Sequence, residues 1–225
     1  MTSCYFIPPG QFFHWELSAL RDAYEGAVWR PRERWHRAEQ AHRQLGVDIE
    51  SFGGEIEQER WDRLAQEDAL DGEMRAVERT LELIRHAFTI SLFHFWERWI
   101  VQEMRMELMY RKDVADPDKE KRLREMRYRH DRVVGFLRRH GLAPDPRGLR
   151  TLQLVANIAK HSGGHDDAEL FMLRPDVFEE RKLGTRGTIY ELRLSDAFVD
   201  EMFGLVSSVG PSLARDDSAQ PDGRS

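Results

Sequence analysis

Apolar residues recur along most of this chain at three- and four-residue steps, the spacing that gives a helix one buried stripe. After the breaker Pro8-Pro9-Gly10, the set Phe13, Leu17, Leu20, Tyr24, Val28, Trp35, Ala38, His42 and Leu45 predicts a long helix. Pro31 lies inside it and is expected to kink or split it near Arg30, because proline removes a helical N–H and its ring crowds the preceding turn. Gly46 and the stretch "SFGGE" at 51–55 are expected to end the pattern. A second long helix is predicted from Ile56 to about Lys112, with Gly72 as a candidate break. Its segment "TLELIRHAFTISLFHFWERWIVQEM" is apolar nearly all round, so this helix should be central.

Asp116 is placed to cap a third helix with Pro117 at its first position, running to about His140. After a loop at 141–146, a fourth helix is expected from Gly148 to Ser162 with Leu149, Leu152, Val155, Ala156 and Ala159 on its apolar side. Asp166 or Asp167 would cap a short helix through Leu173, and Pro175 would begin another turn. "TIYELRL" alternates, as a short strand or extended arm does. Ser195 would cap a last helix to about Val209, and the polar tail from Arg215 is expected to be disordered. These elements predict an all-α fold, a helical bundle of four to six helices. They divide into an N-terminal helical segment at 1–55 that packs on the bundle, the bundle itself at 56–214, and a tail at 215–225.

Composition narrows the setting. With 225 residues, 40% apolar and 33% charged, the chain is too apolar for global disorder and too charged for a membrane protein. The apolar run "FTISLFHFW" is too short to span a bilayer, so no membrane partner is expected. "MTSCYFIPPG" has neither the basic nor the apolar region of a secretory leader. Cys4 is the single cysteine, which excludes an internal disulfide and makes a reducing cytoplasm the expected location. The net charge of −6 is unevenly spread: residues 105–139 hold 12 Lys/Arg against 7 Asp/Glu, whereas residues 31–80 hold 8 Arg against 13 Asp/Glu. The basic segment suits phosphates, and equally suits a solvated helix face of mixed charge.

The stretch "VANIAKHSGG" carries the candidate chemistry. Asn157 and His161 are four residues apart on one helix face, and Lys160 is on the neighbouring one. Two readings stay open. Basic residues in a last turn complement the helix dipole, and Gly163-Gly164 lets the chain turn away. The same geometry also places an imidazole able to move a proton beside an amide and an ammonium, at a helix end a substrate can reach.

"ANIAKHSGG" followed by "AELFMLRPDVF" resembles the HEPN superfamily, helical bundles whose motif is Arg, a polar residue, three arbitrary residues and His. Asn157 matches the polar position and His161 the histidine, whereas Ala156 stands where the motif has arginine. The likeness covers Thr80 to Phe178. It implies an up-and-down core, a homodimer with two motifs facing each other, and RNA as ligand. It also implies metal-independent RNA cleavage without a cofactor, in a defence or toxin–antitoxin setting with an antitoxin or other defence protein as partner. In that likeness His161 assists proton transfer with Asn157 as its orienting partner, and Lys160 or Arg150 stands in for the missing arginine. Many members serve only as binding modules, so a catalytically inactive protein-interaction module is the alternative.

Other patterns say less. His94, Glu97 and Arg98 in "LFHFWERWI" suit polar partners for His161, with Glu97 a candidate site residue; a histidine satisfied by its neighbouring carboxylate is the simpler reading. Glu39–His42 has the Glu-x-x-His spacing of a carboxylate-bridged metal site, but such a site needs that spacing on two helices and two further carboxylates, so no metal is expected. Trp29 and Trp35 in "WRPRERWHR" suit either cation–π packing or a base-stacking surface.

Overall fold

In a computed structural model of the chain, Phe13, Leu17, Tyr24 and Val28 line the buried stripe of α1, Pro9–Ser51, and press it against the apolar middle of α2, Glu57–Tyr110. The structure describes residues 9–51, 57–110, 118–161, 166–182 and 188–211. The two helices run antiparallel: the Phe13 ring packs on Phe95 and Trp99, Tyr24 on Phe88, and Arg34 pairs with Glu73 at 3.0 Å. Five further helices follow: α3, Lys119–Arg124; α4, His130–Arg139; α5, Pro146–His161; α6, Asp166–Leu173; and α7, Asp196–Ser208. The fold is thus the all-α bundle expected, with seven helices among the described residues instead of four to six.

Several expected boundaries are corrected. Pro31 lies within α1 and does not divide it: one missing N–H is tolerated where the flanking turns are held by Val28 and Trp35 against α2. Gly46 and Gly72 also lie inside continuous helices. The expected third helix is two, α3 and α4, separated by residues 125–129. The Asp116-Pro117 cap, the Gly163-Gly164 stop, Cys4 and the tail from Arg215 lie outside the described residues.

A 3-10 turn at Pro175–Val177 leads into a two-stranded antiparallel ribbon, β1 Phe178–Lys182 with β2 Thr188–Leu192, in which Phe178 faces Leu192 and Glu180 faces Tyr190. The alternation of "TIYELRL" foretells β2. Nothing in "FEERK" foretells β1, whose residues extend because their partner strand does.

The main core is built from α2, α5 and α7, with Trp96, Leu152, Leu154, Val155, Val199 and Val206 inaccessible to water. Ser195 caps α7 as expected, its hydroxyl accepting from the Phe198 N–H at 3.1 Å, a bond that contributes about 1 kcal/mol. At the far end of α7, Gly210 sits so close to Phe13 that a Cβ there would lie 2.2 Å from the ring, so only glycine lets the chain pass.

Asp196, in the first turn of α7, ties three helices together. It accepts from the Tyr24 hydroxyl at 2.6 Å and from Arg85 Nε at 2.8 Å, and it pairs with Arg32 at 2.6 Å. Burial alone would raise this carboxyl. The hydrogen bonds from Arg85, Tyr24 and Arg32 outweigh it and hold the group far below the usual carboxylate range.

Beyond Arg32 on α1 and Glu78 on α2, polar contacts join the two helices: Arg34 pairs with Glu73, and His42 lies 3.4 Å from Asp71 and 3.8 Å from Glu67. No residue from 59 to 76 is fully buried, and among residues 33–46 of α1 Ala38 alone is. These outer turns form a two-helix arm about 27 Å long, at 1.5 Å per residue, that extends past the shared core.

Candidate functional site: the C-terminal end of α5

The sequence makes α5 amphipathic at helical spacing. Pro146 opens it, and the Asp145 side chain accepts from the Arg147 N–H at 3.0 Å. Leu149, Leu152, Val155, Ala156 and Ile158 then turn into the core. At 100° per residue, Arg150, Asn157 and His161 fall within about 40° of one another on the opposite side. Lys160 and His161 are exposed on the last turn, and Asn157, one turn earlier, is half-buried and engaged. Ala156, aligned with the motif arginine, is only 3% exposed and belongs to the core. A cation at that position would have its charge among Leu and Val side chains, so the departure from the motif matches the burial of the site.

Arg150 is not an open cation. Its Nε donates to Glu169 Oε1 at 2.7 Å and its Nη2 to Glu169 Oε2 at 2.6 Å, while Nη1 donates to Gln153 Oε1 at 2.8 Å. This two-pronged pair fastens α6 to α5. The hydrogen bond from Arg150 holds the Glu169 carboxyl below its ordinary range. Arg150 and His161 are eleven residues apart, about 16 Å along the helix axis, so Arg150 does not share a first contact sphere with the imidazole.

Glu97 bonds His94, with Nδ1 to Oε2 at 3.2 Å, and both side chains are half-buried. The pair is thus the simple one expected from spacing, at the edge of the core instead of inside it. Among the described residues no hydrogen bond joins His161 to His94, Glu97 or Arg98.

Sequence reasoning missed the polar cluster beside Arg150. The Trp96 indole N–H faces the Tyr128 hydroxyl without reaching hydrogen-bonding geometry, and Nδ1 of His130 also lacks a partner. Burial pushes the Tyr128 phenol up to about 12. Burial, then the nearby Arg150 charge, lowers the His130 imidazole below its ordinary range. Only the tertiary fold brings residues 96, 128, 130, 150 and 169 together.

The motif "RPDVF" has a structural task. Arg174 donates to both oxygens of Asp176, reaches Glu201 on α7 at 2.8 Å, and stacks over Phe198 at 5.2 Å, fixing the turn between α6 and β1. Trp29 is exposed, whereas Trp35 packs on the core. Among the described residues no group of three or more metal-ligating side chains assembles, and no helix is long and apolar enough to cross a membrane. Compared with known proteins, the chain matches no family model, no curated protein and no solved structure.

Proposed function

We propose that this chain is a HEPN-like RNA-binding protein whose RNA-facing groups are Asn157, Lys160 and His161. One observation carries the reading: Lys160 and His161 both stand in solvent on the last turn of a helix whose other face is core, with Asn157 one turn behind them. In metal-independent cleavage the imidazole accepts the proton of a ribose 2′-hydroxyl, the oxygen attacks the adjacent phosphorus to form a 2′,3′-cyclic phosphate, and the bond to the 5′-oxygen breaks, that oxygen leaving as a hydroxyl with a proton from water. Lys160 supplies charge to the phosphate, as a point charge in place of the arginine fork. In this reading two copies pair so that both motifs face one RNA, and an antitoxin or other defence protein covers them.

A second reading has its own observation. The Arg150 fork is filled by Glu169 and Gln153, so the motif keeps no bidentate phosphate ligand, which favours a catalytically silent module that binds a partner protein. The test is incubation of purified protein with total RNA in the presence of EDTA, beside His161→Ala. The nuclease reading expects shortened RNA with the native protein and cleavage at least about 100-fold slower in the variant. Identical RNA lengths with both proteins remove the cleavage claim. Failure of the intact protein to shift RNA on a native gel removes RNA binding as well.

A further inference from the structure

The basic segment singled out in the sequence folds around a groove of about 780 Å³ between the end of α2, α3, the linker at 125–129 and α4. Five arginines line it: Arg122, Arg127, Arg129, Arg132 and Arg139. Three carboxylates oppose them, Glu107, Glu125 and Asp131, of which Glu107 already meets Arg139 at 3.6 Å and His140 at 3.8 Å. Arg127, Arg129 and Arg132 are exposed and form no ion pair with any described residue.

The local fold arranges this display. Arg105 Nη2 holds the linker to α2 through the Met126 carbonyl at 3.2 Å. In the linker, Met126 and Tyr128 pack onto the core. The residues between and after them, Arg127 and Arg129, therefore point outward, as alternate residues of extended chain do, with Cα atoms about 6.6 Å apart. On α4, Arg132 and Arg139 are seven residues apart on one face, about 10 Å along the axis, with Gly135 between them and the Arg139 guanidinium 3.8 Å from where a Cβ there would lie. A single compact anion needs its cations to converge. These are strung along two walls of an open trough, an arrangement that fits an extended chain of negative charges.

We propose that this groove binds a linear phosphate chain; resting on the RNA reading above, that chain is the phosphodiester backbone of single-stranded RNA. The groove positions the strand without reading its bases, because its ligands are guanidinium groups aimed at phosphate oxygens. It is separate from the α5 end, so it contributes affinity and not proton transfer.

The test is fluorescence anisotropy with a labelled single-stranded RNA and, in a second arm, labelled inorganic polyphosphate. Arg127→Gln/Arg132→Gln is compared with the native protein, with Arg43→Gln on the outer arm as the charge control. The double variant is expected to bind both probes at least tenfold more weakly at 0.1 M salt, and to reduce the slope of log K against log salt by about 1.4 for RNA. Arg43→Gln retains near-native affinity. Binding of polyphosphate but not RNA, lost in the double variant, supports the groove and sinks the RNA reading. Native affinity of the double variant for both probes overturns the groove while leaving the RNA reading intact. Absence of binding to either probe by the native protein overturns both.

Discussion

Trp96→Ala lowers the free energy of unfolding by about 4 kcal/mol, the largest loss expected from one side chain here. Trp96 is 0% exposed, stacks on Trp99 with centroids 5.6 Å apart, and fills the space where α2 meets the rest of the core. Truncation removes its transfer free energy and leaves a cavity that the surrounding helices close only in part. The indole N–H has no hydrogen-bond partner, so the loss is one of packing alone. Trp96→Phe, which keeps most of the ring, is therefore expected to cost less than about 1.5 kcal/mol. Urea titrations followed by circular dichroism measure both changes. Equal losses in the two variants would assign the effect to the N–H and contradict the packing account.

Asp196→Asn is expected to cost about 3 kcal/mol near neutrality, because it leaves Arg85, 17% exposed, and Arg32 without their counter-charge. For a chain of this size that is a fall of roughly 6–12 °C in Tm. The effect depends on pH in a fixed direction. The folded-state carboxyl lies below its unfolded value, so its stabilisation is fully present above the ordinary carboxylate range and is lost as the pH falls toward the folded value. The gap between native and variant proteins should thus narrow below about pH 4, by about 1.4 kcal/mol per pH unit. A gap that stays constant from pH 6 to pH 2 would show that the Asp196 charge does not hold α7 to α1 and α2.

Helices were legible in the sequence wherever burial on one face enforced a period, as in the Phe13–Val28 stripe of α1 and the apolar middle of α2. The Ser195 cap was legible because its bond is to a residue three positions on. What failed was punctuation. Pro31, Gly46 and Gly72 carry helix-breaking preferences that packing and neighbouring turns override. The break between α3 and α4 had a usable signal that helical expectation concealed: "EMRYR" alternates polar and apolar with period two, as the extended linker requires.

The candidate site divides in the same way. The last turn of α5 follows from sequence, since Asn157, Lys160 and His161 belong to one local helix. The engagement of Arg150 by Glu169, nineteen residues on, and the gathering of Trp96, Tyr128 and His130 beside it depend on how α2, α5 and α6 meet. No local rule supplies that meeting.

The arm built from the outer turns of α1 and α2 has a thermodynamic consequence for the whole molecule. Its charged pairs are half-exposed and screened by salt, and its buried surface is small, so opening from the tip resembles the fraying of a zipper. The core that Trp96 and Asp196 hold together opens only in the global transition. The protein therefore carries two stabilities, and a signal from Trp61 near the tip reports a different equilibrium from one at Trp96.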